Sequence, residues 1–413
     1  MKILMLHNWY FIRGGADKVF FMTIKLLEKN NHIVIPFSMK DERNYPTRYE
    51  EYFVNKINYD KIQISIKNIK NAIKMIYSFE SRRKINEVIN KFKPDIAHIH
   101  NIYGRITPSV LSVLNRNNIP VVMTLHDYKV ICPAYTMVSN GKPCERCKDG
   151  KYYQVILRKC VKNSYLASVV YGLESYIYYI MKTYRRCVDY YLAPSQFIRK
   201  KMIEFGFPKN RIIYLPNFID NNKYYSINNQ GNYFCYIGKL IDVKGLLTLL
   251  KAMKEIKESM LYIVGDGENK HKLINYIKIN NIKNIRLLGH LKNEEVYKIL
   301  SDAKFVILPS ECYENAPLAI LEAFAHSKAV IASNIGGIPE MVKDGETGLL
   351  FEAGNYKQLG EKIKALLLDK EKAIKMGIKG KLMVEKEFSP ELHYTRLISV
   401  YERAIKDHIM KYY

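Results

Sequence analysis

Negative charge is scarce in this 413-residue chain: 40 Asp and Glu stand against 65 Lys and Arg, a formal net charge of +25. Long uncharged runs are missing too. The nearest to one, Tyr165–Lys182, is interrupted by Glu174, which argues against a membrane-spanning helix. The start lacks the pattern of an export signal. Met1–Leu6 is a short apolar run ended by His7-Asn8, with Gly14-Gly15 soon after and no small-residue cleavage site. Seven cysteines without an export signal are expected as reduced thiols or metal ligands, not disulfides. The expected location is the cytoplasm or the inner face of the plasma membrane. Repeats and low-complexity segments are absent, and the 48% apolar and 25% charged composition excludes a disordered, collagen-like or coiled-coil chain. The positive excess admits three readings: docking on an anionic membrane surface, nucleic-acid binding, or the Lys-, Ile-, Asn- and Tyr-rich drift of an AT-rich genome. No aromatic-basic recognition motif of the RNA-binding kind is present, so nucleic acid is not an expected partner.

What is present is a twice-repeated alternation of short β-branched runs with helical patterns. Candidate strands in the first half are Lys2–Asn8, His32–Ser38, Asp95–Asn101, Pro120–Asp127, Tyr190–Ser195 and Arg211–Asn217. Those in the second half are Tyr233–Gly238, Met260–Gly265, Asn284–Gly289, Phe305–Ser310, Ala329–Asn334 and Gly348–Phe351. Helical patterns between them include Ala16–Lys29, Glu80–Lys91, Lys244–Lys257, Asn293–Leu300 and Pro317–His326. Runs apolar on both faces suit buried parallel strands. The expected class is therefore α/β, with two doubly wound Rossmann-like domains, 1–220 and 221–390, facing across a cleft. The seam is placed in Pro216–Gly231, with its polar stretch Asn221–Gln230, and a terminal helix at 391–413 is assigned to neither side.

Ligands of such sheets bind beyond the carboxyl ends of the strands. The densest group of polar residues there is Pro309–Ala323. Pro317 suits the first helical position and Asn315 suits the cap, leaving free backbone donors to face an anion. Glu314 lies just before that end and Glu322 one to two turns inside. Carboxylates on either side of a phosphate site suit the hydroxyls of a sugar and a ribose, although two solvated helix-end acids would give the same spacing. Lys239 and Lys244, in the turn Gly238–Gly245, are placed to neutralise a diphosphate, or are two exposed lysines in a lysine-rich chain. Gly14 and Gly15 allow close backbone approach to a ligand, and the full G-x-G-x-x-G fingerprint of a nicotinamide enzyme is missing. His126 ends a strand and either reaches a ligand or packs structurally.

In order, the Gly14-Gly15 loop, His126-Asp127-Tyr128, Pro216–Asp220, Gly238-Lys239 with Lys244-Gly245, Gly265–Glu268, Glu314-x7-Glu322 and Ile335–Glu340 resemble glycosyltransferase family 4. The resemblance covers nearly the whole chain. It implies the glycosyltransferase B fold and a retaining transfer from a nucleoside diphosphate sugar to a glycan or polyprenyl-linked acceptor, in bacterial surface polysaccharide assembly. It further implies that Lys239 and Lys244 hold the diphosphate with amides near Ala316, Pro317 and Leu318. Glu322 would bind the ribose, Glu314 the donor sugar, and His126 the same sugar, with Gly14 and Gly15 giving room for phosphate and acceptor. No catalytic metal is expected, since lysines and a helix terminus stabilise the departing diphosphate. Front-face attack assisted by that phosphate is the expected route to retention. Where the family usually has Arg, this chain has Lys239, a point charge in place of a bidentate fork. Rival readings are a sugar-nucleotide epimerase, a glycan phosphorylase, or a non-catalytic glycan- or lipid-binding module.

Two further features stand outside these motifs. Cys132-x11-Cys144-x2-Cys147-x12-Cys160 suits a tetrahedral thiolate zinc site stiffening a loop, or four free thiols. Ser164–Arg186, rich in tyrosine with a basic end, suits a helix lying on a membrane, or one packed on the sheet.

Overall fold

The computed structural model describes residues 1–56, 72–220 and 231–410; the polar stretch at the expected seam, 221–230, lies outside them. Two compact units result, one of Met1–Asn140, Cys144–Leu215 and Tyr394–Tyr413, the other of Gly141–Pro143 and Pro216–His393.

The first unit holds a six-stranded sheet: β1 (Lys2–Leu6), β2 (Ile33–Phe37), β3 (Ile96–Ile99), β4 (Val121–Thr124), β5 (Tyr190–Ala193) and β6 (Ile212–Tyr214). All pairings are parallel, in the order β2-β1-β3-β4-β5-β6. Strands β3, β4 and β5 are buried at every position, because helices cover both faces. The terminal helix Pro390–Met410 supplies part of this core. Its Leu397, Val400, Tyr401 and Ala404 recur at helical spacing and pack with Ile3, Phe20, Leu27 and Leu192. The Tyr401 hydroxyl bonds the His98 ring at 2.6 Å.

The second unit holds β7 (Tyr233–Ile237), β8 (Met260–Val264), β9 (Ile285–Gly289), β10 (Phe305–Leu308), β11 (Ala329–Ser333) and β12 (Gly348–Phe351), again all parallel, ordered β9-β8-β7-β10-β11-β12. Its core joins Phe234, Ile263, Phe305, Ile331 and Phe351 of the sheet to Leu249, Leu250 and Leu359 of the covering helices.

Each sheet reverses its winding once, between β1 and β3 in the first unit and between β7 and β10 in the second. At such a switch point the loops leaving the two strands diverge to opposite faces and open a crevice at the carboxyl edge. The loops leaving β7 and β10 carry Lys239, Lys244 and Glu314. Topology alone thus brings together residues about 70 positions apart.

Candidate active site

Lys244 and Glu314 form the centre of the second unit's site. The Lys244 ammonium meets Glu314 Oε1 at 2.5 Å, and the Ser310 hydroxyl donates to the same oxygen at 2.5 Å. The Glu314 side chain is 11% exposed and that of Lys244 24%. Burial works against the Lys244 charge, but the Glu314 carboxylate outweighs it and holds the lysine pKa above its ordinary value. The same burial, with Glu314 beside it, pushes the Cys312 thiol up to about 12, which keeps that thiol protonated.

The loops around this pair are tied together by backbone. The Glu311 amide donates to the Val243 carbonyl at 2.8 Å, and the Glu311 carboxylate accepts from Thr248 at 2.6 Å. The Gly337 amide donates to the Glu314 carbonyl at 2.7 Å. Its neighbour Gly336 has φ +63, and a Cβ there would stand 2.4 Å from the Glu314 carbonyl oxygen, so the Ile335–Glu340 motif is the backing of the Glu314 turn. Asn217 Nδ2 donates to the Ala316 carbonyl at 3.0 Å, which links Pro216–Asp220 to the same turn.

The helix begins at Leu318 rather than at Pro317, which sits one step earlier with ψ 118, and Asn315 lies two residues ahead of that cap. The expected Asn315 cap and first-position Pro317 are thus displaced by an extended approach to the helix. The amides of the first turn from Leu318 are left without intrahelical acceptors, as at any helix start. Glu322 is half-buried within this helix and its carbonyl bonds His326 Nδ1 at 2.8 Å. Lys239 is exposed, and its carbonyl accepts from the Tyr236 hydroxyl at 2.8 Å. Lys244 and Glu314 are therefore in contact, whereas Lys239 sits on the loop after β7 and Glu322 inside the helix Leu318–Ala325.

In the first unit the carboxyl edge gathers histidines. His126 Nε2 and His100 Nδ1 share a hydrogen bond of 2.6 Å, with the rings stacked 4.9 Å apart. Burial, helped by the neighbouring His7, lowers the His126 pKa to about 3, so the ring is neutral at physiological pH. Burial raises Asp127 to about 6, against the Lys129 amide that it accepts. Gly14 is extended and precedes the helix Gly15–Lys29, whose first turn carries Asp17. Asp17 bonds His7 Nε2 at 2.7 Å and Arg13 at 2.9 Å, and fixes the loop that carries Gly14 and Gly15. His7, Asp17, His100 and Ser310 were not singled out from sequence. The pair His98-Ile99-His100 at the end of a candidate strand was the one available signal.

All seven cysteines carry free thiols. Among the described residues no three His, Cys, Asp or Glu side chains are grouped so as to hold a metal ion. Burial raises the Cys147 thiol above the usual thiol range, and burial likewise raises Cys132 and Cys160. Cys235 is buried inside β7.

Comparison with known proteins decides the lineage. Residues 13–223, half of the chain, match Glycosyltransferase Family 4, and residues 218–383 match Glycosyl transferases group 1. The chain belongs to glycosyltransferase family 4. An uncharacterized glycosyltransferase of Methanocaldococcus jannaschii is 33% identical to this family-4 chain over 216 residues, 52% of this chain and 59% of the relative. The match thus spans less than two thirds of that relative's length. The capsular polysaccharide biosynthesis glycosyltransferase CapM of Staphylococcus aureus is 25% identical over 261 residues, 58% of this chain and 68% of CapM. Among solved structures, a sucrose-phosphate synthase from Thermosynechococcus elongatus aligns with TM-score 0.73 at 18% identity, over 98% of this chain and 99% of that one. HepE of Anabaena, solved with UDP and glucose, aligns with TM-score 0.69 at 15% identity, over 97% and 99%. At these identities the likeness concerns the fold, which is glycosyltransferase B: two α/β domains with parallel sheets. No helix among the described residues is long and apolar enough to cross a membrane.

Proposed function

We propose that this chain is a retaining glycosyltransferase that moves a sugar from a nucleoside diphosphate carrier to a glycan or polyprenyl-linked acceptor. Its setting is the cytoplasm, in surface polysaccharide assembly. The observation that carries the reading is the Lys244–Glu314 pair with Ser310 at the switch point of the second sheet, in front of the helix Leu318–Ala325. Family membership supports the reaction class, and the naming of CapM for capsular polysaccharide biosynthesis supports the setting.

In this reading Lys244 and Lys239 neutralise the diphosphate, and the first-turn amides from Leu318, with the backbone of Ala316 and Pro317 leading into them, add the helix-end charge. Asn315 orients the turn, Glu322 accepts from the ribose hydroxyls, and Glu314 from the donor sugar. His126, neutral by burial, is assigned to the donor sugar, and Gly14 and Gly15 to close approach of the phosphate and acceptor. The bond from C1 to the phosphate oxygen breaks and a bond from C1 to the acceptor oxygen forms on the same face. The acceptor's hydroxyl proton passes to the leaving phosphate oxygen. These residues supply the charge stabilisation of the leaving group without a catalytic metal.

A thermal-shift panel of UDP-, GDP-, ADP- and TDP-sugars tests this. One base is expected to stabilise the protein by about 2.7 kcal/mol at a hundredfold excess over its dissociation constant, and Glu322→Ala to remove that shift. No shift with any donor sinks the assignment.

For the four cysteines of the first unit a structural zinc is proposed on their sequence spacing alone, since their side chains are not grouped to hold one in this structure. Metal analysis of protein purified without chelator is expected to find one zinc per chain, lost together with thermal stability in Cys147→Ser. Metal-free protein that melts like the loaded one rules it out.

A further inference from the structure

The helix Tyr165–Ile180 turns its polar and apolar residues the wrong way round for a helix that merely covers a sheet. Its buried side holds Ala167, Ser168, Gly172, Glu174 and Tyr178. The single acid of the helix, Glu174, points inward and pairs with Lys129 at 2.6 Å, both side chains almost wholly buried. Leu166, Val169, Leu173 and Ile180 run along the outer side at helical spacing and are exposed, Leu173 by 50% and Ile180 by 74%. The short helix Tyr153–Leu157 packs beside it, because Gly172 leaves room for Val155 and Ile156, whose side chains stand 3.2 and 3.3 Å from where a Cβ would lie. That neighbour extends the surface with Tyr153 and with Leu157, 63% exposed. Tyr165 and Tyr179 add exposed rings.

Charge frames this apolar platform with one sign. From Lys151 to Arg186 the chain has Lys151, Arg158, Lys159, Lys162, Lys182, Arg185 and Arg186 against Glu174 alone. With Glu174 paired inside, the outward side of this segment carries no acid; Asp149 lies just outside it, in a turn packed on Tyr179. Exposed aliphatic side chains, tyrosines and a rim of cations together match the boundary of an anionic bilayer: acyl chains for Leu166, Val169 and Leu173, headgroups for the lysines and arginines. An apolar face built for a second protein copy would have no need of a one-sign rim, since the rim would repel its own image across a two-fold contact.

We propose that Tyr153–Leu157 and Tyr165–Ile180 form a docking platform for an anionic membrane surface. It extends the functional reading by placing the first unit at a membrane, where polyprenyl-linked saccharides reside, but vesicle binding is read without donor or acceptor. Failure of one therefore leaves the other standing.

Flotation of the full chain with vesicles of phosphatidylcholine, alone or with phosphatidylglycerol, tests it. Binding is expected to rise tenfold or more with the anionic lipid and to weaken in high salt. The double variant Leu166→Glu, Leu173→Glu is expected to lose binding at least tenfold with an unchanged melting temperature. Lys159→Glu with Lys162→Glu, which keeps the apolar stripe intact, should lose it too. Leu382→Glu, an exposed leucine of the second unit, should bind as wild type. No binding by the wild-type chain, or equal binding by the platform variants, overturns the proposal. So does a wild-type dimer that the leucine variants convert to monomer.

Discussion

Glu314→Gln is expected to lower the turnover of sugar transfer by on the order of 10²-fold or more, with a much smaller change in donor KM. The substitution keeps the shape of the side chain and removes its charge. Glu314 has two tasks in the free protein. It accepts the Ser310 hydroxyl, and it holds the partly buried Lys244 charged against the cost of burial. An amide oxygen still accepts from Ser310 but cannot offset the lysine's desolvation. Lys244 then loses the influence that raises its pKa, while burial, which lowers it, remains. The sign follows: the lysine deprotonates at a lower pH in the variant, so the alkaline limb of kcat/KM moves toward neutrality. Initial rates over a range of donor concentrations from pH 6 to 10 read both effects. Wild-type turnover, or a lower rate with an unmoved alkaline limb, refutes this account of the pair.

The pair shows which parts of the molecule the sequence discloses. Strand positions are legible to within about three residues at each end, Gly348–Phe351 without any change, because strands buried on both faces appear as short apolar runs ended by polar residues. From them the carboxyl-edge loops followed, and with them Glu314 and Lys244. The contact between the two did not follow, since it depends on β7 and β10 being neighbours, and periodicity says nothing of strand order. The histidines were hidden for the same reason. His98 meets Thr124 and His100 meets His126, both across 26 residues, because β3 and β4 run parallel in one register. A reader of the sequence sees strand-end histidines; only the pairing reveals that two of them are hydrogen-bonded to each other. The home of the terminal helix was equally closed. Its stripe Leu397, Val400, Tyr401 and Ala404 is visible as amphipathic, but either sheet offers an apolar face to receive it.

The helix after β7 begins two residues later than its pattern suggests, and the cause carries the second large prediction. The apolar periodicity starts at Lys244, yet the helix starts at Leu246, after a single 3₁₀ turn Asp242–Lys244. Between them Gly245 takes φ +68, and a Cβ there would lie 1.8 Å from the Pro309 carbonyl oxygen. Glycine is therefore required twice over, for its backbone conformation and for the closeness of the β10 loop. Gly245→Ala is expected to cost about 3 kcal/mol or more, combining left-handed strain with displacement of a backbone that has no rotamer to move. It should lower the melting temperature by several degrees or leave the second unit unfolded. The effect on chemistry is separate and larger than stability alone would give. Pushing Pro309 away also moves Ser310 and the turn to Glu314, on the side opposite Lys244. At a temperature where the variant is folded, its transfer rate should therefore still fall tenfold or more, since small misplacements of reacting groups are costly. A Gly245→Ala protein that melts with the wild type would mean that the two loops do not meet as closely as this structure places them.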